Sequence, residues 1–225
     1  MKTAVLLSGL IRCFGKCYPS LLESIIKPLN ADVFISSWDF SDPEQPNDVT
    51  IKETISLCDP KIYLFEKWDQ EKKLQFDRKK YEVRKYKHCH KIMNTMAMFY
   101  KMKSANDLKM IYEQKNDFKY DVVIRARTDM VFGDSFKQEE VIELVSKTHG
   151  EEFDNIIAIP DGHGWPDTFA LGSSENMDYY NSVYGNIDRY WEEEDCLFGG
   201  EFLLRHHLVK CKKIVSFDFS MKLRP

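Results

Sequence analysis

Three short apolar runs, Thr3 to Ser8, Asp32 to Ser36 and Lys61 to Phe65, alternate with stretches whose hydrophobic residues recur at helical spacing. Runs of this length and composition read as strands. Between the first two, Tyr18 to Pro28 carries Leu21, Leu22, Ile25 and Ile26 at the spacing of a helix, and another helix-like piece precedes Pro60. The resulting β-α-β-α-β order is the pattern of a parallel, doubly wound sheet. A chain of 225 residues is long enough for one such domain with a proper core. Its 30% charged and 43% hydrophobic content is that of a folded globular protein and not of a disordered one.

Further along, Phe40 to Asn47 holds Pro43 and Pro46 among polar residues and reads as a loop. Asp69 to His90 is highly charged with little periodicity, which predicts a surface excursion or a lid. Lys91 to Asn116 is the longest helical pattern, with Ile92, Met96, Phe99, Met102 and Leu108 as an apolar stripe and Asn94 and Lys101 as polar positions able to face a cleft. A fourth strand covers Tyr120 to Phe132, followed by a helix near Gln138 to Lys147 and a fifth strand over Asn155 to Ile159. A glycine-rich loop, Asp161 to Trp165, then precedes a short strand at Asp167 to Gly172 and a helix from Ser174. Glu192 to Asp195 reads as a solvated helix start, where acidic residues suit the helix dipole.

The fourth strand carries the sharpest chemical signal. Val122-Val123-Ile124 looks covered on both faces, yet the strand ends in Arg125, Arg127 and Asp129. Ligands of open α/β sheets bind beyond the carboxyl ends of such strands. Arginines there favour phosphate, and an aspartate beside phosphate favours a divalent metal; an Arg–Asp pair that merely closes the strand is the plainer reading. The ends of the first two strands add Ser8, Gly9, Arg12, Ser37, Trp38 and Asp39, so a cleft at the carboxyl edge would hold a glycine turn, guanidinium groups and a carboxylate. Asp167 lies close to Trp165, a flat surface suited to sugars or bases, although a loop aspartate also caps turns. Glu201 sits amid apolar residues, where a carboxylate is costly unless paired; it reads as a catalytic base, an acceptor contact or a partner for Arg125. His206 and His207 end the same stretch, and a surface position at a helix C-terminus suits them better than a metal.

Several classes are disfavoured. Gly9 lacks the G-x-G-x-x-G pattern and there is no Walker A loop, which weakens the dinucleotide oxidoreductase and P-loop readings. No H-E-x-x-H and no G-x-S-x-G occur, against a zinc hydrolase and a serine hydrolase. A net charge of −4 argues against a nucleic-acid binder, despite the basic residues clustered between Lys67 and Lys91. The six scattered cysteines suggest reduced thiols, and the short run from Met1 to Ser8 is too brief for a signal peptide or a membrane span. A cytoplasmic protein is expected.

Taken together, Leu7-Ser8-Gly9-Leu10-Ile11-Arg12-Cys13-Phe14, Ala31 to Trp38, Tyr120 to Asp129, Asp167 to Gly172 and Gly200-Glu201-Phe202-Leu203-Leu204 resemble a family of small nucleotide-sugar glycosyltransferase-like proteins of bacterial surface-polysaccharide loci and large DNA viruses. The resemblance spans most of the chain. It implies an α/β, GT-A-like single domain over 1–225, with a Rossmann-like, mostly parallel central sheet flanked by helices, a nucleotide-sugar-binding half at 1–132 and an acceptor-binding half at 133–225. It also implies a cytoplasmic setting in a bacterium or a virus-infected host cell. Asp129 would stand at the last position of a D-x-D motif and meet Mn²⁺ or Mg²⁺ on the donor diphosphate, although Arg127 replaces the first aspartate and arginines offer an alternative neutralisation. Arg12, Arg125 and Arg127, joined by Lys222 and Arg224 of the tail, would stabilise the leaving diphosphate, with Asp167 or Glu201 as base. The implied partners are a nucleoside-diphosphate sugar donor and a glycan, glycolipid or glycoprotein acceptor. A non-catalytic nucleotide-sugar or glycan-binding module is the main rival, and a sugar nucleotidyltransferase a lesser one.

Overall fold

The computed structural model describes residues 1–76, 92–146, 156–161, 167–210 and 213–223. Strand β1 (Thr3–Gly9) leads into helix α1 (Phe14–Leu21), a π-helical turn (Leu22–Ile26) and a short α2 (Lys27–Leu29). Pro19 inside α1 withholds one backbone donor, and the chain widens into the π turn directly afterwards. β2 (Asp32–Asp39), α3 (Ile51–Cys58) and β3 (Ile62–Lys67) complete the first alternation. A capping box starts α3: the Thr50 hydroxyl accepts from the Glu53 amide while the Glu53 carboxylate accepts from the Thr50 amide. Then come α4 (Gln70–Phe76), the long α5 (Ile92–Asn116), β4 (Val122–Arg127), β5 (Met130–Phe132) and α6 (Gln138–Ser146). The chain ends with β6 (Ile156–Pro160), β7 (Phe169–Gly172), α7 (Ser174–Tyr180), a 3₁₀ segment (Asn181–Asn186), α8 (Ile187–Glu192), α9 (Gly200–Leu208), β8 (Lys213–Phe217) and β9 (Met221–Leu223).

Seven strands form one sheet in the order β3-β2-β1-β4-β7-β6-β8, with β7 alone antiparallel to its neighbours. The sheet runs without interruption from strands of residues 1–132 to strands of residues 133–223. Side chains alternate between its two faces, and each face has its own core. Leu6, Phe34 and Val123 pack with α5, α7, α8 and α9 on one side; Val5, Leu7, Ile35 and Ile124 pack with α1 and α6 on the other. The α/β, mostly parallel, helix-flanked architecture expected from the alternation is the one observed. No helix among the described residues is long and apolar enough to cross a membrane.

Three local expectations need correction, and the tail adds an element. The fourth strand is two: β4 stops at Arg127 and β5 begins at Met130, because the Thr128 hydroxyl donates to the Leu10 carbonyl and Asp129 turns back toward the arginines. Asp69 to His90 contains α4, which has too few apolar residues to announce itself by period and is anchored by the fully buried Phe76; residues 77–91 lie outside the described set. Glu192 to Asp195 follows the end of α8, and Glu194 there takes ion pairs from Lys210, His206 and Arg189. The tail forms β9, antiparallel to β5, a pairing of three residues that no periodicity could announce.

Phe76 meets the rings of Trp38, Trp68, Tyr100 and Tyr184 at centroid distances of 5.4–6.2 Å. Phe76→Ala is expected to destabilise the protein by about 3–5 kcal/mol, the range for emptying a buried aromatic site, measured by urea unfolding with tryptophan fluorescence.

Candidate functional site

The strand order places β1 between β2 and β4, so the chain winds away from β1 in both directions. A crevice opens at that point beyond the carboxyl ends of the strands. Here it is a cleft of about 710 Å³ lined by residues from β1, β4, the segments after β2 and β3, α5, the start of β7, the start of α9 and β9. Of the expected residues it gathers Ser8, Gly9, Arg12, Trp38, Arg125, Arg127, Asp129, Asp167 and Glu201, and Asn94 as well. Gly9 has φ +117°, a conformation that a side chain strains, and this lets the backbone leave the sheet at the crevice.

The period-2 alternation of strands removes three expected residues. Ser37 and Asp39 face the opposite way from Trp38: Ser37 is fully buried, its hydroxyl donating to the Trp38 carbonyl, and Asp39 is exposed at the strand end. Lys222 is exposed on β9 while its neighbour Leu223 reaches the cleft. Arg224 and Trp165 lie outside the described residues. Glu201 is not the buried carboxylate its apolar neighbours suggest; it is exposed on the first turn of α9, where the flanking Phe202 is exposed too. Of the two histidines, His207 is buried, stacked on Tyr179 with centroids 4.1 Å apart and 2.5 Å from the Tyr190 hydroxyl, and burial pushes it down to about 4. His206 meets Glu194, so neither lines the cleft.

The three arginines are not equivalent. The Arg127 guanidinium grips Asp129 in a two-point fork, Nε to Oδ1 at 2.9 Å and Nη2 to Oδ2 at 2.7 Å, and Arg12 Nη2 reaches the same Oδ2 at 3.2 Å. Burial alone would raise the Asp129 carboxyl, but Arg127 and then Arg12 outweigh it and hold the group below the usual carboxylate range. Arg125 is 1% exposed, and among the described residues its one hydrogen bond runs from Nη2 to Ser8 Oγ at 3.5 Å. Among the described residues its Nε and Nη1 have no hydrogen-bond partner. Burial lowers its basicity, with the Tyr180 and Asp167 side chains acting in the other direction. A buried guanidinium with unused donors is expensive in a folded protein unless an anion completes it.

Asp167 stands beside this charge at the entry to β7. A Cβ on Gly200 would lie 2.8 Å from Asp167 Oδ2 and 3.3 Å from Met98 Cε, so the bare glycine is what lets α9 approach the carboxylate. On the other flank, Trp38 stacks on Tyr100 at 5.7 Å and meets Trp68 edge-on at 4.8 Å. Lys101, wholly buried, lies 4.1 Å from the centre of the Trp38 ring and is paired with Glu66 at 2.7 Å. Burial pulls Lys101 down to about 8, although the Glu66 contact partly restores it. Lys101 thus acts beneath the cleft wall instead of facing the cleft. Phe40, Trp68, Thr95 and Met98 were missed in the sequence because nothing local distinguishes them from core residues.

The N-terminus of α1, a ready anion site after β1, is already filled. Asp48 accepts hydrogen bonds from the Gly15 and Lys16 amides, both at 2.9 Å. A phosphate in this cleft therefore depends on the arginines. A divalent cation does not fit the residues present: both Asp129 oxygens accept from guanidinium groups, and among the described residues no three His, Cys, Asp or Glu side chains are grouped to hold a metal.

No protein-family model matches the chain, and no curated protein does. Among solved structures it is similar to the apo form of the glycosyltransferase GlyE of Streptococcus pneumoniae TIGR4, at 13% identity and a TM-score of 0.47 over 95% of this chain and 44% of that one. A second GlyE structure gives 12% identity and 0.47, over 96% and 45%. The chain spans less than half the length of these proteins. A likeness at that level says nothing of activity.

The Lys101 contact makes Trp38 a reporter. Tryptophan emission is expected to titrate with a midpoint near 8 as the ammonium beside the ring loses its proton. Lys101→Met should remove that transition, and a fluorescence pH titration of both proteins checks it.

Proposed function

We propose that this cleft binds a nucleoside-diphosphate sugar and that the protein transfers the sugar to a glycan, glycolipid or glycoprotein acceptor. The observation that carries the reading is Arg125, a buried cation with two unused donors at the switch point of the sheet. Its surroundings support the same ligand. Across the sheet edge the lining runs from an aromatic shelf, Trp38 and Trp68, through the guanidinium groups, to the carboxylates Asp167 and Glu201. That order is the order of a flat base, a diphosphate and a hydroxyl-rich sugar. Rings stack on bases, guanidinium groups pair with phosphate oxygens, and carboxylates accept from sugar hydroxyls.

In a direct displacement the acceptor oxygen attacks the anomeric carbon while the bond from that carbon to the diphosphate oxygen breaks. The bonding pair leaves with the nucleoside diphosphate, and the acceptor proton passes to Asp167. Negative charge grows on the leaving oxygen, where Arg125, Arg127 and Arg12 stand ready; preorganised cations at such a position are the largest single source of rate enhancement in many enzymes. Glu201, exposed at the rim, orients the acceptor. The reading of a non-catalytic nucleotide-sugar module has one observation in its favour, the neutralisation of Asp129 by arginine. Incubation with a panel of nucleotide sugars, followed by detection of released nucleoside diphosphate, separates the two: no turnover with any donor that binds would establish the module.

Arg125 gives a prediction in which two measurements move oppositely. Arg125→Met removes a buried charge whose burial cost its neighbours offset only in part, so the ligand-free protein should melt at a higher temperature. Its affinity for nucleoside diphosphates should fall about 10- to 100-fold, the worth of hydrogen bonds to a charged group. Calorimetry and thermal melts on the same preparation check both, and a variant that loses stability with unchanged affinity would make Arg125 a structural residue. Asp167→Asn should keep donor binding and lose transfer by about 10²- to 10⁴-fold, the usual contribution of a general base; near-normal turnover would remove Asp167 from that role.

A further inference from the structure

We propose that Asp129 is a counter-ion that sets the guanidinium groups of Arg12 and Arg127 for a diphosphate, and that the donor binds without a divalent cation; the inference rests on the donor reading above. The two Asp129 oxygens receive three guanidinium hydrogen bonds, from Arg127 Nε at 2.9 Å, Arg127 Nη2 at 2.7 Å and Arg12 Nη2 at 3.2 Å. The carboxylate is 5% exposed and has little face left to offer. A magnesium ion would have to sit about 2.0–2.1 Å from one of those oxygens, against the guanidinium groups that already occupy them. Neither preceding residue brings a second carboxylate: Arg127 is itself a cation, and Thr128 has only a hydroxyl, which donates to the Leu10 carbonyl.

Charge decides in the same direction. Arg12, Arg125 and Arg127 outnumber Asp129 and Asp167, so the cluster is cationic before any metal enters. The diphosphate of a nucleotide sugar carries about two negative charges, one on each phosphate, and arginine pairs match it without further help. Donors are also in place: among the described residues Arg125 Nε and Nη1 and Arg12 Nε lack hydrogen-bond partners, while the fork on Asp129 fixes the plane of the Arg127 guanidinium and a single bond holds Arg12 beside it. Asp129 is thus a positioning residue, acting on the ligand through its arginines.

Calorimetric titration of uridine and guanosine diphosphates into the unmodified protein, in excess EDTA and again in excess Mn²⁺, tests this directly. Dissociation constants within about twofold of each other are expected. Binding that appears only with Mn²⁺, or tightens more than about tenfold with it, overturns the inference and leaves the donor reading standing. Binding of neither nucleotide in either buffer overturns both. Asp129→Asn supplies a second readout: with the counter-ion gone, binding in EDTA should persist with a steeper dependence on salt. Complete loss of binding by a folded Asp129→Asn protein, shown by an unchanged circular dichroism spectrum, would overturn the counter-ion role.

Discussion

The parallel ladder between β1 and β4 is the constraint from which the rest of the cleft follows. It sets Leu6 opposite Arg125 and Ser8 opposite Arg127, so two cations from one strand end emerge beside the polar end of another. One residue of slip would send Arg125 to the opposite face and bring Ile124 to the crevice. The apolar run Val122 to Ile124 fixes that register, because every one of its side chains is buried. Burial of an unpaired guanidinium is tolerated because two complete cores, one on each face, hold the strand in place. Such local cost at a cleft, offset elsewhere, is the pattern of a site kept ready for a ligand.

Helix α5 frames this arrangement and carries charge where an ordinary amphipathic helix carries apolar residues. Lys101, Lys109 and Glu113 are all buried along it. Lys101 reaches Glu66 under the aromatic shelf; Lys109 pairs with Asp178 at 2.6 Å and Glu113 at 3.3 Å, tying α5 to α7. Glu113 also accepts from Ser174 and from the Tyr120 amide just before β4. Buried pairs of this kind add little net stability, yet they have a single geometry, and breaking one partner leaves a costly orphan. They fix the helix against the strand whose other end bears the arginines. The α5 wall and the charged end of β4 are thus joined through these buried pairs.

How much of this the sequence discloses depends on the range of the interaction. Strand and helix periods and the charged end of β4 are local, and each was readable within a few residues. Helix α4 and strand β9 were not, since three to seven residues hold too few periods to stand out from loop. Ser37 and Asp39 were drawn into the site by proximity to Trp38, although alternation along a strand turns neighbours to opposite faces. Glu201 was read as buried because its neighbours are apolar, but the first turn of a helix at a cleft rim exposes one side whatever its neighbours are.

What the sequence by itself determined is the strand and helix alternation, the mostly parallel sheet and the presence of cations and carboxylates at strand ends. Those follow from periodicity and from the cost of burying charge, both of which act over short spans. The tertiary structure alone decided which charges are already spent. Arg12 and Asp129 are 117 residues apart in the chain, yet they share a hydrogen bond; Arg127 grips the same carboxylate, and Arg125 is left with two donors unused among the described residues. Partner choice of that kind depends on strand register and on distances of a few ångströms, because Coulomb and hydrogen-bond energies fall steeply beyond contact, and no local pattern of residues encodes them.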